Sequence, residues 1–134
     1  MSVYFANDIE QMHHHFGTNK TVSKMTPEVL REFLDFRIAC IEEELNETKK
    51  AALEKNWSEL VDGVTDLLVF SIGLLDAFGI DSTKAWSRVH TANMSKSVGT
   101  KSTRPNKFGF PDLIKPSNFK SPDHSDNIGL LAKL

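Results

Sequence analysis

An all-α helical bundle of about four helices, followed by an irregular C-terminal tail, is the fold this 134-residue sequence predicts. Three observations carry the prediction. Through the first two thirds, apolar residues recur at spacings of three and four. No Val/Ile/Thr-rich stretch alternates with period two. Glycine, proline and short polar residues stand where helices would start and stop.

The first helix spans residues 3–16, with Phe5, Ile9, Met12 and Phe16 as its apolar set and Gly17 placed to end it. The second opens with Thr26 as N-cap, Pro27 at the first helical position and Glu28 in the first turn, and runs to about residue 55. Proline needs no donor there, and an acid meets the positive end of the helix dipole. Ser58 is read as the cap of a third helix, the most apolar, which continues to residue 78 and is closed by Gly79. Asp81 or Ser82 starts a fourth that fades near residue 94. From residue 95 the composition changes: four of the five prolines fall there, among Ser, Gly, Lys and Asn. The length suits one domain, with a helical catalytic part at 1–94 and a tail at 95–134. Phe108, Phe110, Leu113, Ile114 and Phe119 are too many large apolar groups for a solvated linker, so the tail is expected to pack on the bundle or on a neighbouring subunit.

Composition narrows the function. Sixteen basic and eighteen acidic residues leave a formal charge of −2, so no global positive field favours nucleic acid as a partner. Cys40 is the single cysteine, which excludes an intramolecular disulfide and a cysteine-rich zinc knuckle and agrees with a reducing compartment. No targeting signal is read at the N-terminus, and the apolar segment around residues 67–75 is too short to span a bilayer. The expected location is therefore the cytoplasm, with no membrane partner.

The informative feature is acidic. Glu43 and Glu47 lie about 40° apart around a helix, and Glu44 and Glu47 about 60° apart, so three carboxylates share one face. On the next helix Glu59, Asp62 and Asp66 fall within about 60° of one another, beside an apolar stripe of Leu60, Val64, Leu67, Leu68 and Phe70. A solvated acidic surface explains the first cluster taken alone, with Lys49 and Lys50 close by. Asp66 resists that explanation, because an ionised aspartate inside an apolar run is unfavourable unless paired or bound to metal. Two antiparallel helices joined near Asn56 would bring the acidic faces together as an oxygen-only donor set, suited to hard cations such as magnesium.

At this point the sequence resembles the MazG-like all-α nucleoside triphosphate pyrophosphohydrolases, particularly the short single-domain kind of phages and bacteria. The likeness rests on E-E-x-x-E at Glu43-Glu44-Leu45-Asn46-Glu47 and on Asp62-Gly63-Val64-Thr65-Asp66-Leu67-Leu68. It extends to Asn93-Met94-Ser95-Lys96, to Ile114-Lys115-Pro116 and to Phe119-x-x-Pro122-Asp123. One departure stands out: the usual second motif is E-x-x-D, and the position three before Asp66 is Gly63. Asp62 is the nearest substitute, and Glu59-x-x-Asp62 satisfies E-x-x-D one turn upstream.

The resemblance implies hydrolysis between the α- and β-phosphates of a (deoxy)nucleoside triphosphate, giving the monophosphate and pyrophosphate. Two or three Mg²⁺ ions, or Mn²⁺, would support it. Glu44, Glu47, Asp62 and Asp66 are then the expected metal ligands, Glu43 a ligand or the base for the attacking water, and Glu59 a reserve ligand. Asn93, Lys96 and Lys115 are expected to bind substrate. A homodimer or homotetramer is implied, and dGTP, as in MazZ-type enzymes, stands slightly ahead of dUTP and dCTP. Phosphoribosyl-ATP hydrolysis is the alternative among enzymes; a non-catalytic helical oligomerisation protein with a solvated acidic face is the alternative outside them. The run His13-His14-His15 is read as partly exposed rather than metal-binding, since consecutive residues point to different sides of a helix.

Overall fold

The computed structural model describes residues 2–99, 107–108 and 112–134, apart from the side chains of Ser2 and Val3. Five α-helices occur among them: α1 (Ser2–Phe16), α2 (Thr18–Val22), α3 (Pro27–Leu53), α4 (Trp57–Ala77) and α5 (Ser82–Met94). The all-α class expected from the sequence is what is found, with a short 3₁₀ turn at Gly129–Lys133. No single helix among the described residues is long and apolar enough to cross a membrane.

The chain forms two compact units, one made of Met1–Ser82 with Asn127–Leu134 and the other of Thr83–Asp126. In the first, α3 and α4 form the main packed pair. The two helices run antiparallel, as the cross-helix neighbours demonstrate: Arg37 meets Gly73, and Thr48 meets Gly63, so position rises on one helix as it falls on the other. Thr26 caps α3, its Oγ1 accepting from the Val29 amide at 3.3 Å. The link between α3 and α4 is a Schellman turn in which the Asn56 amide bonds to the Ala51 carbonyl and the Lys55 amide to Ala52. Lys55 takes the left-handed position with φ 55°, a place usually given to glycine. Asn56, rather than Ser58, then caps α4 by accepting from the Glu59 amide at 3.2 Å. Gly79, with φ 69°, ends α4 in the same kind of turn.

The core of this unit is Val22, Leu30, Ala77, Phe78 and Ile80, with Phe33, Leu34, Leu74 and Leu131 packed around it. Its C-terminal segment closes on the end of α4. Asn127 exchanges two side-chain hydrogen bonds with the backbone of Asp81, each 2.9 Å, and the Leu130 amide donates to the Phe78 carbonyl at 2.8 Å. In α1 the buried face differs from expectation. Ile9 is buried, but Phe5 and Phe16 are exposed and His13 takes the inward place. The reason is a polar partner for His13 on α4, described below.

The second unit holds α5 from Thr83 onward and two three-residue strands, β1 (Ser97–Gly99) and β2 (Asp112–Ile114). The strands pair antiparallel with Val98 opposite Leu113. The tail therefore carries more regular structure than its proline content predicts. Arg88 ties the unit together: its two Nη atoms reach the Asp126 carboxylate at 2.5 and 2.9 Å, and Nη1 also donates to the Asp123 carbonyl. That fork, with Lys84 second, holds the Asp126 carboxyl far below the usual carboxylate range. Phe108 is exposed, and Phe110 lies outside the described residues. Trp57 and Trp86 are both exposed, so neither belongs to the core of this chain.

Candidate active site

The first unit brings the two acidic motifs together. Glu44 lies on the face of α3 that meets α4 and is half-buried. Its Oε2 is closed off from solvent and has no hydrogen-bond partner. Loss of solvation, followed by the charges of Glu47, Asp66, Glu43 and Asp62, pushes the Glu44 carboxyl above its ordinary value. Four carboxylates from the two helices thus act on Glu44. Asp66 is half-buried on α4, whereas Glu43, Glu47 and Asp62 are exposed at the rim. Glu43 and Glu47 also line a shallow hollow of about 410 Å³ on α3, with Glu42 and Lys50. Glu59 stands apart, in the first turn of α4, and is not among the charges that act on Glu44.

The glycine that interrupts E-x-x-D has a packing role. A Cβ at Gly63 would stand 2.5 Å from Thr48 Oγ1 and 3.4 Å from Thr48 Cα. Thr48 Oγ1 in turn donates to the Glu44 carbonyl at 2.7 Å, so the close approach at Gly63 sets the spacing of the helices beside the acids. A side chain at position 63 requires Thr48 to shift. Gly63→Ala is expected to lower stability by about 1 kcal/mol net: overpacking of roughly 1–3 kcal/mol outweighs the roughly 1 kcal/mol gained in helix propensity. Urea unfolding measures it. In a Thr48→Ala background the same change should be neutral or favourable; equal losses in both backgrounds would reject the contact as the cause.

The donor set at the acids is oxygen only, the chemistry preferred by Mg²⁺ and Mn²⁺, and the partnerless Oε2 of Glu44 is the kind of atom a cation satisfies. Among the described residues, no group of three or more His, Cys, Asp or Glu side chains is arranged to hold an ion unaided. Magnesium tolerates that, since it often takes one or two carboxylates and completes its shell with water and substrate phosphates.

Asn93, Lys96 and Lys115 gather in the second unit. Lys96 Nζ donates to Asn93 Oδ1 at 3.0 Å. The ammonium groups of Lys96 and Lys115 stand 5.8 and 5.2 Å from the centroid of the Phe119 ring. In the same unit a hollow of about 920 Å³ is lined by Thr91, Ser95, Phe119 and Asp123, among others.

Two features escaped the sequence reading. His13 is buried, with Nδ1 2.6 Å from Asp76 Oδ2, and Asn19 Nδ2 donates to the same carboxylate oxygen and to the Asp76 carbonyl. His14 and His15 are exposed, as expected. Arg37 lies half-buried between α3 and α4, its guanidinium 5.2 Å from the Phe70 ring centroid and 5.9 Å from that of Phe33. Its Nε is shut off from solvent without a hydrogen-bond partner, and burial pushes its pKa down. A signal for Arg37 did exist: Phe33, Arg37, Ile41, Glu44 and Thr48 follow one helical stripe, which two charged residues interrupt.

A family model described as phosphoribosyl-ATP pyrophosphohydrolase matches residues 9–93, more than half of the chain. The matched span contains α3 and α4 with Glu43, Glu44, Glu47, Glu59, Asp62 and Asp66. No curated protein matches the chain.

Proposed function

The chain belongs to the phosphoribosyl-ATP pyrophosphohydrolase family, and from that premise we propose that it cleaves the α–β anhydride of a nucleotide triphosphate group, releasing pyrophosphate, with Mg²⁺ or Mn²⁺ bound at the α3–α4 carboxylates. Membership makes the protein a pyrophosphohydrolase that acts on phosphoric anhydrides. The observation that supports the site is the convergence of Glu43, Glu44, Glu47, Asp62 and Asp66 around the partnerless Glu44 oxygen.

When bound, the divalent ions neutralise charge on the phosphates and lower the pKa of a coordinated water. The residues themselves have distinct tasks. Glu44 and Asp66 present half-buried carboxylate oxygens from opposite helices, Glu47 and Asp62 add charge at the rim, and Glu43 orients or deprotonates the attacking water. A Glu44 carboxyl raised by burial and then by its acidic neighbours is suited to a cation, because a bound cation offsets both the lost solvation and the repulsion. Lys96 and Lys115 are point charges suited to phosphate, and Asn93 steadies Lys96. A homodimer or homotetramer accompanies this reading. It is favoured by the exposed Phe36, Ile38, Trp57, Val61 and Val64 on α3 and α4.

For the substrate, the family match favours phosphoribosyl-ATP over the dGTP preference expected from the short phage-type motifs; both carry the same scissile anhydride. The test is to incubate the protein with phosphoribosyl-ATP, the eight common ribo- and deoxynucleoside triphosphates and dUTP, with Mg²⁺, Mn²⁺ or EDTA. Expected is pyrophosphate and a monophosphate product only with metal. Release of orthophosphate instead, or turnover that survives EDTA, overturns the proposal, and no turnover of any substrate returns the non-catalytic reading.

A further inference from the structure

Arg37 is a cation with no counter-ion among the described residues. Among the described residues it has two aromatic rings for neighbours, no carboxylate at ion-pair distance, and a buried Nε with nothing to donate to. The acid closest along α4, Asp76, is already engaged by His13 and Asn19. A half-buried, unpaired guanidinium is unfavourable on its own, and phosphate oxygens match its planar donor fork.

Its position is equally suggestive. Arg37 precedes Glu44 by seven residues, which returns it to nearly the same side of α3 about 10 Å along the axis. Gly73 lets the α4 backbone come close to it: a Cβ there would stand 2.6 Å from Arg37 Nη2 and 3.5 Å from both Cε1 and Nε2 of His13, the side chains that occupy that space. The Asp76 contact at Nδ1 fixes the His13 ring so that this opposite edge packs against Gly73, as the guanidinium does.

We infer that Arg37, backed by Phe33 and Phe70 and flanked by the His13 edge at Gly73, binds a phosphate group of the substrate with the exposed part of its guanidinium, along the α3–α4 seam on the side away from the acids. The inference rests on the anhydride-hydrolase reading for the identity of that phosphate. It has two sources, the pyrophosphate end of the triphosphate or the separate phosphate of a phosphoribosyl substituent.

Arg37→Met tests it, since methionine keeps an apolar stem on the two rings and removes the charge. Titration calorimetry of inorganic pyrophosphate with Mg²⁺, and of phosphoribosyl-ATP with Ca²⁺ in place of Mg²⁺, reads binding without requiring turnover. Circular dichroism checks the fold. Removal of a charge-assisted phosphate contact is expected to weaken binding roughly 10- to 100-fold. Loss with both ligands assigns the pyrophosphate end; loss with phosphoribosyl-ATP alone assigns the phosphoribosyl phosphate. Unchanged affinity for both in a folded variant overturns the inference, even if the wild-type enzyme turns over. Weakened binding upholds it even if no anhydride is hydrolysed. Should Arg37→Met fail to fold, Arg37→Gln is measured in its place: it removes the charge while keeping a polar end, and wild-type affinity there is equally fatal.

Discussion

Asp66→Asn is expected to reduce metal-dependent pyrophosphate release by at least about 10²-fold, the scale on which a single preorganised electrostatic contact to a reacting group is felt, while leaving the protein as stable as before or slightly more so. The two halves follow from one observation. Beside burial, Asp66 is among the charges that push the Glu44 carboxyl above its ordinary value, so Asp66 and Glu44 repel each other when no cation lies between them. Making one of them neutral removes repulsion, whereas the same change removes an anionic ligand from the cation site. Activity and stability should therefore move in opposite directions. Glu47→Gln should behave alike, with a smaller gain in stability because Glu47 is exposed. Turnover with and without added Mg²⁺, set beside thermal unfolding in EDTA, reads both quantities. If both variants keep wild-type turnover, the acidic face is solvated surface and the catalytic site lies elsewhere.

Phe78→Ala carries the largest expected loss of stability, about 3–5 kcal/mol. Phe78 is fully buried, and its ring stacks on Phe33 with centroids 5.8 Å apart. Its backbone also matters: the carbonyl accepts from Leu130, and Gly129, with φ 50°, lies too close to that carbonyl for any side chain. Removing the ring opens a cavity where α3, the end of α4 and the C-terminal segment meet, and a domain with about 5–15 kcal/mol in total has little to spare. Urea denaturation with a fixed m-value measures the change, and a loss below about 1 kcal/mol would mean that the surrounding side chains collapse into the space.

Much of the fold was legible because its signals are local. Thr26-Pro27-Glu28 sets the start of α3, Gly17 and Gly79 end α1 and α4, and the three- and four-residue apolar spacing makes each segment helical without reference to any other. Less was legible where a local cue was faint or atypical. α2 is only five residues long and carries no periodic pattern. Lys55 occupies a left-handed turn position where glycine would have announced the end of α3. The strands β1 and β2 have three residues each, too short for alternation to register.

By itself, then, the sequence determined the helical class and the presence of two acidic faces, since both depend only on spacing along a single helix. Which side chains meet across helices was decided by tertiary packing. Glu44 became the focus of the acids because it faces α4, while Glu59, one turn from the helix start, does not act on it. Gly63 proved to be a contact point rather than a missing ligand, because Thr48 occupies the space its side chain would fill. His13 turned inward in place of Phe16 to meet Asp76, and Arg37 came to lie between two rings with no counter-ion among the described residues. Such pairings depend on how far each helix is rotated and shifted against its neighbour, and that balance is struck by close packing and by the need to satisfy every buried polar group, not by the period of any one segment.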